Sequence, residues 1–181
     1  MHRRWLFLIV LIGVDLAAFF FWRFHREHRF DETIRQAARH YGLPPALVKA
    51  VVWQESRFDP DVRGSAGELG LMQVTEDAAL EWAAAEKIRY FSHAQLVDPN
   101  TNVLAGTYYL AKLLKRYTQT DNALPYALAD YNAGRGNVLR WINGPSTTNS
   151  TSFLAVVGFP STRAYIDAVS NRYQHYRPEF Q

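Results

Sequence analysis

Hydrophobic residues recur at helical spacing through most of the chain that follows residue 30. Between Asp31 and Gly42, apolar side chains stand at positions i, i+3, i+4 and i+7, which lie on one face of an α-helix. A longer segment that begins at Asp98-Pro99 shows the same pattern, with one face formed by Val103, Thr107, Leu110, Leu114 and Tyr117. The sequence shows no sustained strand-type alternation. The pattern therefore predicts a mainly α-helical domain over residues 31–181.

A continuous apolar run from Trp5 to Trp22 precedes this domain and is interrupted by one charge, Asp15. As a helix, these residues span about 27 Å, which is close to the hydrocarbon thickness of a bilayer. Tryptophan at both ends and arginines on both flanks are typical of a helix that ends at the membrane interfaces. The run predicts a single membrane helix within an N-terminal segment, residues 1–30.

A cleaved signal peptide is the alternative explanation for this run. Signal peptides have a shorter apolar stretch and end in small residues. Here Ala17 and Ala18 lead directly into three phenylalanines, residues 19–21, which form a poor cleavage site. We therefore expect an uncleaved signal anchor. Asp15 is expected to cost about 3 kcal/mol near the bilayer centre unless it finds a partner.

The basic charge of the chain belongs to the N-terminal segment. The formal net charge is +3 and the sequence pI is about 9.2. Residues 1–30 contain five arginines and two acidic residues, whereas residues 31–181 contain fifteen basic and fifteen acidic side chains. A domain with no net charge lacks the electrostatic footprint of a nucleic-acid-binding protein. We expect no nucleic-acid partner.

Several common kinds of site are absent from the sequence. The chain has no cysteine, and its six histidines show no metal-ligand spacing and no HExxH motif. No GxSxG motif is present, and no Gly-Lys-Ser/Thr follows the glycines at 64, 67 and 70. The sequence therefore predicts neither a metal site nor a bound cofactor.

Glu55 is the most informative polar residue. Val48, Val51 and Val52 form an apolar stripe whose helical spacing brings Glu55 onto the same face, near the C-terminus of the predicted helix. Apolar surroundings and the negative end of a helix both raise the pKa of a carboxyl group. With an ordinary pKa near 4.3, about one glutamate in 500 is protonated at pH 7, so a raised pKa would create a general acid. A structural salt bridge to Arg57 or Arg63 is the alternative.

Four motifs around Glu55 follow one another in a recognisable order. They are ESRF at 55–58, GSAGELGLMQ at 64–73, DPNTNVLAGTYYLAKLL at 98–114 and ALADYNAGRGNV at 127–138. Together they resemble the soluble lytic transglycosylase catalytic domain, over roughly residues 31–176. That family shares the goose-type lysozyme fold and cleaves the glycan strands of bacterial peptidoglycan. The resemblance implies a lysozyme-like helical domain.

The resemblance also implies roles for individual residues. Glu55 matches the family's sole catalytic acid. The residues implied to bind substrate or to lie beside the acid are Ser56, Gln73, Tyr131, Asn132 and Tyr165. For Gln73 and Asn132, a helix cap or a buried amide that ties loops together is the alternative.

The chain departs from the family's pattern at three places. Gly64 stands where the family usually has a serine nine residues after the glutamate, and Ser65 is the residue that would compensate. Thr75-Glu76 replaces the common Met-Pro after GLMQ, and Ser161 replaces a glutamate four residues before Tyr165. None of these changes removes the central carboxyl group.

The family's reaction needs one carboxyl group, which acts first as acid and then as base. Glu55 would protonate the β-1,4 bond between N-acetylmuramic acid and N-acetylglucosamine, and a 1,6-anhydromuramoyl product would form without water. Ordinary glycosidases need a second carboxylate, but Asp59-Pro60-Asp61 is more typical of a turn. The alternatives are a hydrolytic muramidase of the same fold and a non-catalytic, anchored peptidoglycan-binding or scaffold protein.

The expected substrate also sets the expected location. Peptidoglycan lies outside the cytoplasmic membrane, so we expect the N-terminus inside, one membrane helix, and a catalytic domain facing the periplasm and cell wall. Flanking charge alone does not decide this orientation. The abundant tyrosines and tryptophans lead us to expect a sugar-binding groove with aromatic faces.

Overall fold

The computed structural model describes the backbone of residues 2–181 and the side chains from Ile12 onward. The α-helices are α1 (His2–His28), α2 (Asp31–Tyr41), α3 (Pro45–Ser56), α4 (Glu76–Ala85), α5 (Pro99–Arg116), α6 (Ala123–Ala133), α7 (Arg135–Trp141), α8 (Ser150–Val156) and α9 (Pro160–Tyr176). Short 3-10 helices span His93–Val97, Gly144–Thr147 and Arg177–Phe180. Within residues 2–181 there is no β-strand, only isolated bridges from Leu69 to Arg63 and to Val74. The predicted mainly α-helical class is confirmed.

Local sequence signals account for where α2 and α5 begin and end. Gly42 ends α2 in the left-handed conformation with φ 67°, which glycine adopts without a steric penalty. Asp98 begins α5, since its carboxylate accepts a hydrogen bond from the Thr101 N–H at 2.8 Å. Pro99 follows at the first helical position, where its missing N–H removes no hydrogen bond.

Helix α3 lies at the centre of the domain. It packs against α2 and α9, while α5 packs against α2, α4 and α6. Val48, Val51 and Val52 are fully buried, as the apolar stripe predicts. The end of this buried helix therefore carries Glu55 out of the core and toward the surface.

An ion cluster around the buried side chain of Lys49 joins the end of α1 to the rest of the domain. The Nζ of Lys49, which is fully buried, lies 2.8 Å from Asp31 Oδ1 and 2.8 Å from Glu179 Oε2. The same ammonium group lies 3.1 Å from His28 Nδ1. His28, Asp31 and Glu179 bring their ligand atoms within 4.8 Å of one another, a spacing that would suit a metal ion. The ammonium group of Lys49 supplies the positive charge at this position.

The described apolar side chains of α1, which begin at Ile12, are largely exposed to solvent. Those from Ile12 to Phe24 that are large and hydrophobic are exposed. Among the residues that the structure describes, no helix has the length and apolar character needed to cross a membrane. The predicted run from Trp5 to Trp22 lies partly outside the described side chains, which begin at Ile12.

The polar segment 143–152 is more ordered than its composition indicates. It is a polar, turn-rich stretch that predicts an exposed loop. In the structure it forms the 3-10 helix Gly144–Thr147 and the first turn of α8. Ser146 is buried, and its carbonyl oxygen accepts a hydrogen bond from the Tyr126 hydroxyl at 2.8 Å. Seven of the ten residues are exposed, as predicted, and the segment differs from the expected loop where Ser146 contacts α6.

Candidate active site

The chain turns sharply immediately after Glu55 and Ser56. Arg57 ends α3 with φ 53°, and Phe58 follows with φ 63°. Two consecutive residues other than glycine in the left-handed region are unusual and require support from tertiary contacts. Phe58 supplies such support because its side chain is buried in the core. The turn leaves Glu55 half-buried in the last turn of an otherwise buried helix.

Glu55 accepts a short hydrogen bond from a tyrosine that lies 110 residues away in the sequence. The Tyr165 hydroxyl, on α9, donates to Glu55 Oε1 at 2.5 Å. Burial raises the pKa of Glu55 to about 7, and the negative charge of Glu68 acts in the same direction. The hydrogen bond from Tyr165 acts in the opposite direction, since it stabilises the carboxylate. At neutral pH about half of the Glu55 carboxyl groups therefore carry a proton that is available for donation.

No salt bridge neutralises Glu55 among the described residues. Arg57, the first alternative partner, instead stacks on Trp53, with its guanidinium carbon 3.2 Å from the ring centroid. It also donates to the Trp53 carbonyl oxygen at 2.9 Å. Arg172 lies on the same indole at 3.9 Å from the centroid. Arg57 and Arg172 are thus held by one aromatic ring, Arg63 forms no salt bridge with Glu55, and the carboxyl group retains its raised pKa.

Glu55 opens into a polar cleft of about 260 Å³. The cleft is bounded by the end of α3, the loop that follows it, and the end of α6. The lining residues are Glu55, Gly64, Ser65, Glu68, Gln73, Thr75, Tyr131 and Asn132. Carboxyl, amide and hydroxyl groups therefore surround the acid, which suits a ligand rich in hydrogen-bonding groups.

The structure brings Gln73, Tyr131 and Asn132 to this cleft, as expected from the sequence. Tyr131 donates its hydroxyl to the Met72 carbonyl oxygen at 2.8 Å, which fixes the ring beside Glu55. Asn132 is exposed, and its Oδ1 accepts a hydrogen bond from Thr162 at 2.8 Å. These contacts leave both residues positioned by α9 and by the GLMQ segment, with their side chains in the cleft wall.

Gln73 combines the two roles that the sequence left open. Its Nε2 donates to the carbonyl oxygens of Gly70 at 2.8 Å and Val62 at 3.0 Å, so the amide ties the loop together. Its own backbone has a positive φ of 47°. The side chain still lines the cleft, so one residue both braces the loop and contributes to the wall.

Ser56 and Tyr165 are not among the residues that line the cleft. Ser56 is buried, and its hydroxyl donates to the Val52 carbonyl oxygen within α3 at 3.1 Å. Tyr165 is buried behind Glu55, where burial raises the pKa of its hydroxyl well above the usual value. The geometry therefore makes Tyr165 a residue that orients the acid and places Ser56 in the helix packing.

A buried amide on α5 holds the GLMQ segment in place, and sequence reasoning did not identify it. Asn102 Oδ1 accepts from the Met72 N–H at 2.9 Å, while its Nδ2 donates to the carbonyl oxygens of Leu69 at 2.7 Å and Leu96 at 2.9 Å. Gly70, with φ 73°, lies against this amide, where an added Cβ would overlap Nδ2. The sequence signal that could have identified Asn102 is its position at the end of DPNTN, residues 98–102.

Glu68 is a second residue at this site that the sequence did not single out. It belongs to the GSAGELGLMQ motif, but neither periodicity nor the resemblance distinguishes it there. Its carboxyl group lines the same cleft as Glu55 and lies over Gly64. Asp59 and Asp61, the nearest acids in sequence, form the predicted turn instead, with the Asp61 N–H donating to Asp59 Oδ1 at 3.1 Å.

The cleft beside Glu55 contains less aromatic surface than the composition led us to expect. Tyr131 is the single aromatic residue among the described side chains that line the cleft. Large aromatic side chains such as Tyr126, Tyr176 and Trp82 are buried in the core. The many aromatic residues of the sequence serve mainly in core packing, because their rings contribute large buried apolar surfaces.

The family profile of the transglycosylase SLT domain matches residues 32–153 of this chain. The chain belongs to the transglycosylase SLT domain family. The match includes Glu55 and every residue that lines the cleft. It begins after α1, at the second residue of α2.

Relatives of known name support this membership. The soluble lytic murein transglycosylase of Escherichia coli (strain K12) is 32% identical over 159 residues, which cover 84% of this chain and 24% of the relative. Membrane-bound lytic murein transglycosylase C of Cronobacter sakazakii is 36% identical over 121 residues, covering 64% of this chain and 34% of the relative. The chain thus spans between a quarter and a third of these relatives.

Solved structures share the fold. The 70 kDa soluble lytic transglycosylase of Escherichia coli is similar with a TM-score of 0.73 and 28% sequence identity, covering 86% of this chain and 26% of the other. A complex of the 70 kDa soluble lytic transglycosylase with bulgecin A is similar with a TM-score of 0.73 and 29% identity. The predicted lysozyme-like, lytic transglycosylase fold is confirmed.

Proposed function

We propose that this protein is a peptidoglycan lytic transglycosylase in which Glu55 is the single catalytic residue. Glu55, half-buried in the cleft wall and held by Tyr165, is the observation that carries the proposal. Its raised pKa, about 7, leaves about half of the carboxyl groups protonated at neutral pH, which supplies the general acid. Membership of the family and the names of the relatives, lytic murein transglycosylases, support the same activity.

The reaction begins when Glu55 donates its proton to the oxygen of the β-1,4 bond between N-acetylmuramic acid and N-acetylglucosamine. The bond from C1 to that oxygen breaks, and the muramoyl ring acquires oxocarbenium character. The Glu55 carboxylate then removes the proton from the muramoyl 6-hydroxyl, whose oxygen bonds to C1. The product is a 1,6-anhydromuramoyl end, and no water is consumed. Glu55 finishes protonated and ready for another cycle.

Other residues of the cleft hold the acid and the sugar. Tyr165 orients the Glu55 carboxyl group through its hydrogen bond. Tyr131, Gln73 and Asn132 present a ring face and amide groups that suit the hydroxyl and acetamido groups of a glycan. Ser56 supports them indirectly, since its hydroxyl is bonded within α3. No step of this reaction requires a metal ion or a cofactor.

The nature of the product tests the reaction. Peptidoglycan digested with the purified protein is expected to release muropeptides that end in 1,6-anhydro-N-acetylmuramic acid, with a mass 18 Da below that of the reducing form. Mass spectrometry before and after borohydride treatment distinguishes the two, because a reducing end is reduced and an anhydro end is not. Products that are all reducing would instead establish a hydrolytic muramidase.

The N-terminal segment, residues 1–30, is proposed as an inner-membrane anchor, with residues 31–181 as the catalytic domain in the periplasm. Support comes from the apolar run between Trp5 and Trp22 and from the solvent-exposed apolar side chains of α1. Relatives include membrane-bound lytic murein transglycosylases. An anchor of this kind would hold the cleft on the periplasmic side of the membrane, where peptidoglycan lies.

The absence of native cysteine permits a direct test of this topology. Thr151→Cys, at an exposed position, should react with a membrane-impermeant maleimide in spheroplasts, whereas His2→Cys should react only after lysis. Both variants should stay in the membrane fraction after carbonate extraction. Release of the protein by carbonate, or labelling of the two positions under the same conditions, would contradict the anchor.

A further inference from the structure

The cleft contains two carboxyl groups, although the proposed reaction uses one. Glu68 lies in the loop between α3 and α4 and lines the same cavity as Glu55. The backbone fixes its position: the Gly64 N–H donates to the Glu68 carbonyl oxygen at 2.8 Å. The next residue, Leu69, forms the bridges to Arg63 and Val74. Backbone hydrogen bonds within the loop therefore hold Glu68 at the cleft.

The side chain of Glu68 folds over Gly64 and occupies space that any other residue at position 64 would need. A Cβ added at Gly64 would overlap Glu68 Oε2 and would lie 2.9 Å from Glu68 Cδ and 3.0 Å from Gln73 Oε1. The Ala66 N–H donates to the same Oε2 at 3.0 Å and fixes the carboxylate there. Gly64, where the chain departs from the family's pattern, therefore leaves the space that the Glu68 carboxylate occupies.

Glu55 faces titratable groups from each of the elements around it. Tyr165 approaches from α9 and Tyr131 from α6, and burial raises the pKa of both phenols, so they are uncharged at neutral pH. Glu68 approaches from the loop and is the group whose charge opposes ionisation of Glu55. A negative charge in the same cleft disfavours a second negative charge on Glu55.

We propose that Glu68 is a positioning residue for the lytic reaction: its carboxylate, lodged over Gly64 in the cleft that it shares with Glu55, favours the proton-carrying form of the catalytic acid. This inference rests on the proposed function, since it assigns Glu68 a task only if Glu55 is the acid. Glu68 transfers no proton and forms no bond in this role. Its negative charge acts across the cleft and adds to the effect of burial.

Glu68→Gln is expected to move the basic limb of the pH–rate profile for glycan cleavage to lower pH by about half a pH unit, as expected for a charge acting through a polar cleft. At pH 8 this corresponds to a loss of about threefold relative to wild type. Asp61→Asn is the matched control, because it removes an exposed negative charge from the same loop but outside the cleft. A merely structural role for Glu68 would lower kcat at every pH and leave the midpoint where it was.

Gly64→Ala provides a second, independent route to the same change. The new methyl group would displace the Glu68 carboxylate from its hydrogen bond with the Ala66 N–H. The backbone at Gly64 has no positive φ that alanine would strain. The midpoint should therefore fall in Gly64→Ala and should not fall further when that change is added to Glu68→Gln. Gly136→Ala, at an open position in α7, controls for a glycine replacement.

Titration of Glu55 itself separates this inference from the proposed function. In protein labelled with [5-¹³C]glutamate, the Glu55 signal is assigned by its absence in Glu55→Gln and followed from pH 4 to 9. Glu68→Gln should lower its midpoint, whether or not the protein cleaves glycan. An unchanged midpoint, or an equal shift in Asp61→Asn, overturns the role of Glu68. Failure of wild type to produce anhydro ends while the midpoint shifts would overturn the function alone.

Discussion

Replacing Glu55 with glutamine is expected to reduce glycan cleavage by at least about a thousandfold, because glutamine has no proton to donate and cannot later accept one. The substitution changes the shape of the side chain very little. Tyr165 can still donate its hydrogen bond to the glutamine carbonyl oxygen. The loss should be measured as the rate of release of soluble muropeptides from purified peptidoglycan. Glu76→Gln, at an exposed position in the first turn of α4, is the matched control and should cleave at the wild-type rate.

The same variant should remain folded and should still bind glycan. Since burial opposes the charge on Glu55, an uncharged side chain at this position removes a penalty that wild type carries above pH 7. The melting temperature at pH 8 should therefore equal or exceed that of wild type, and pelleting with insoluble peptidoglycan should persist. Cleavage within tenfold of wild type would show that another group donates the proton. A wild-type protein that binds peptidoglycan without cleaving it would instead indicate the scaffold role.

The rate of cleavage by the wild-type protein is expected to fall about a hundredfold between pH 6.5 and pH 9. The acid must be protonated to act, and a group with pKa about 7 loses its proton as pH rises through that value. The rate should therefore be level on the acidic side of pH 7 and should decline tenfold per pH unit above it. An ordinary glutamate would place this limb near pH 4.5. A limb near that pH would show that Glu55 is ionised in the resting enzyme and would contradict the mechanism.

Tyr165→Phe provides a control of opposite sign for this profile. The hydrogen bond from Tyr165 lowers the pKa of Glu55, so its removal should move the basic limb to higher pH. The carboxyl group would also lose its orienting contact, and kcat should fall at every pH. Initial rates at constant ionic strength from pH 4 to 9 would show both effects. A basic limb that moves downward would show that the tyrosine acts on another group.

The helical periodicity predicted most of the fold because the spacing of apolar residues reports burial within one element. Ile34, Ala37 and Ala38 are buried on α2, and Gly42 ends that helix as expected. Residues 143–152 are mostly exposed, as predicted, but the buried contact of Ser146 with Tyr126 was not predicted. The composition of a segment indicates whether it can be exposed to solvent. It contains no information about a contact with a residue 20 positions away in the sequence.

The candidate site was predicted in part, and the difference has a physical cause. The stripe of valines on α3 placed Glu55 correctly at the edge of the core. Three of the five accompanying residues line the cleft, whereas Ser56 and Tyr165 lie behind it. A motif shows which residues accompany the acid, but it does not distinguish a side chain that faces the cleft from one that supports it.

The sequence by itself determined the helices, the central acid and the membership of a family, since each depends on the order and spacing of residues along the chain. The tertiary structure alone decided what surrounds that acid. It brought the Tyr165 hydroxyl, 110 residues away in the sequence, onto the Glu55 carboxyl group. It also folded the Glu68 side chain over Gly64. The pKa of a carboxyl group depends on burial and on charges within a few ångströms, and those neighbours are set by packing between elements.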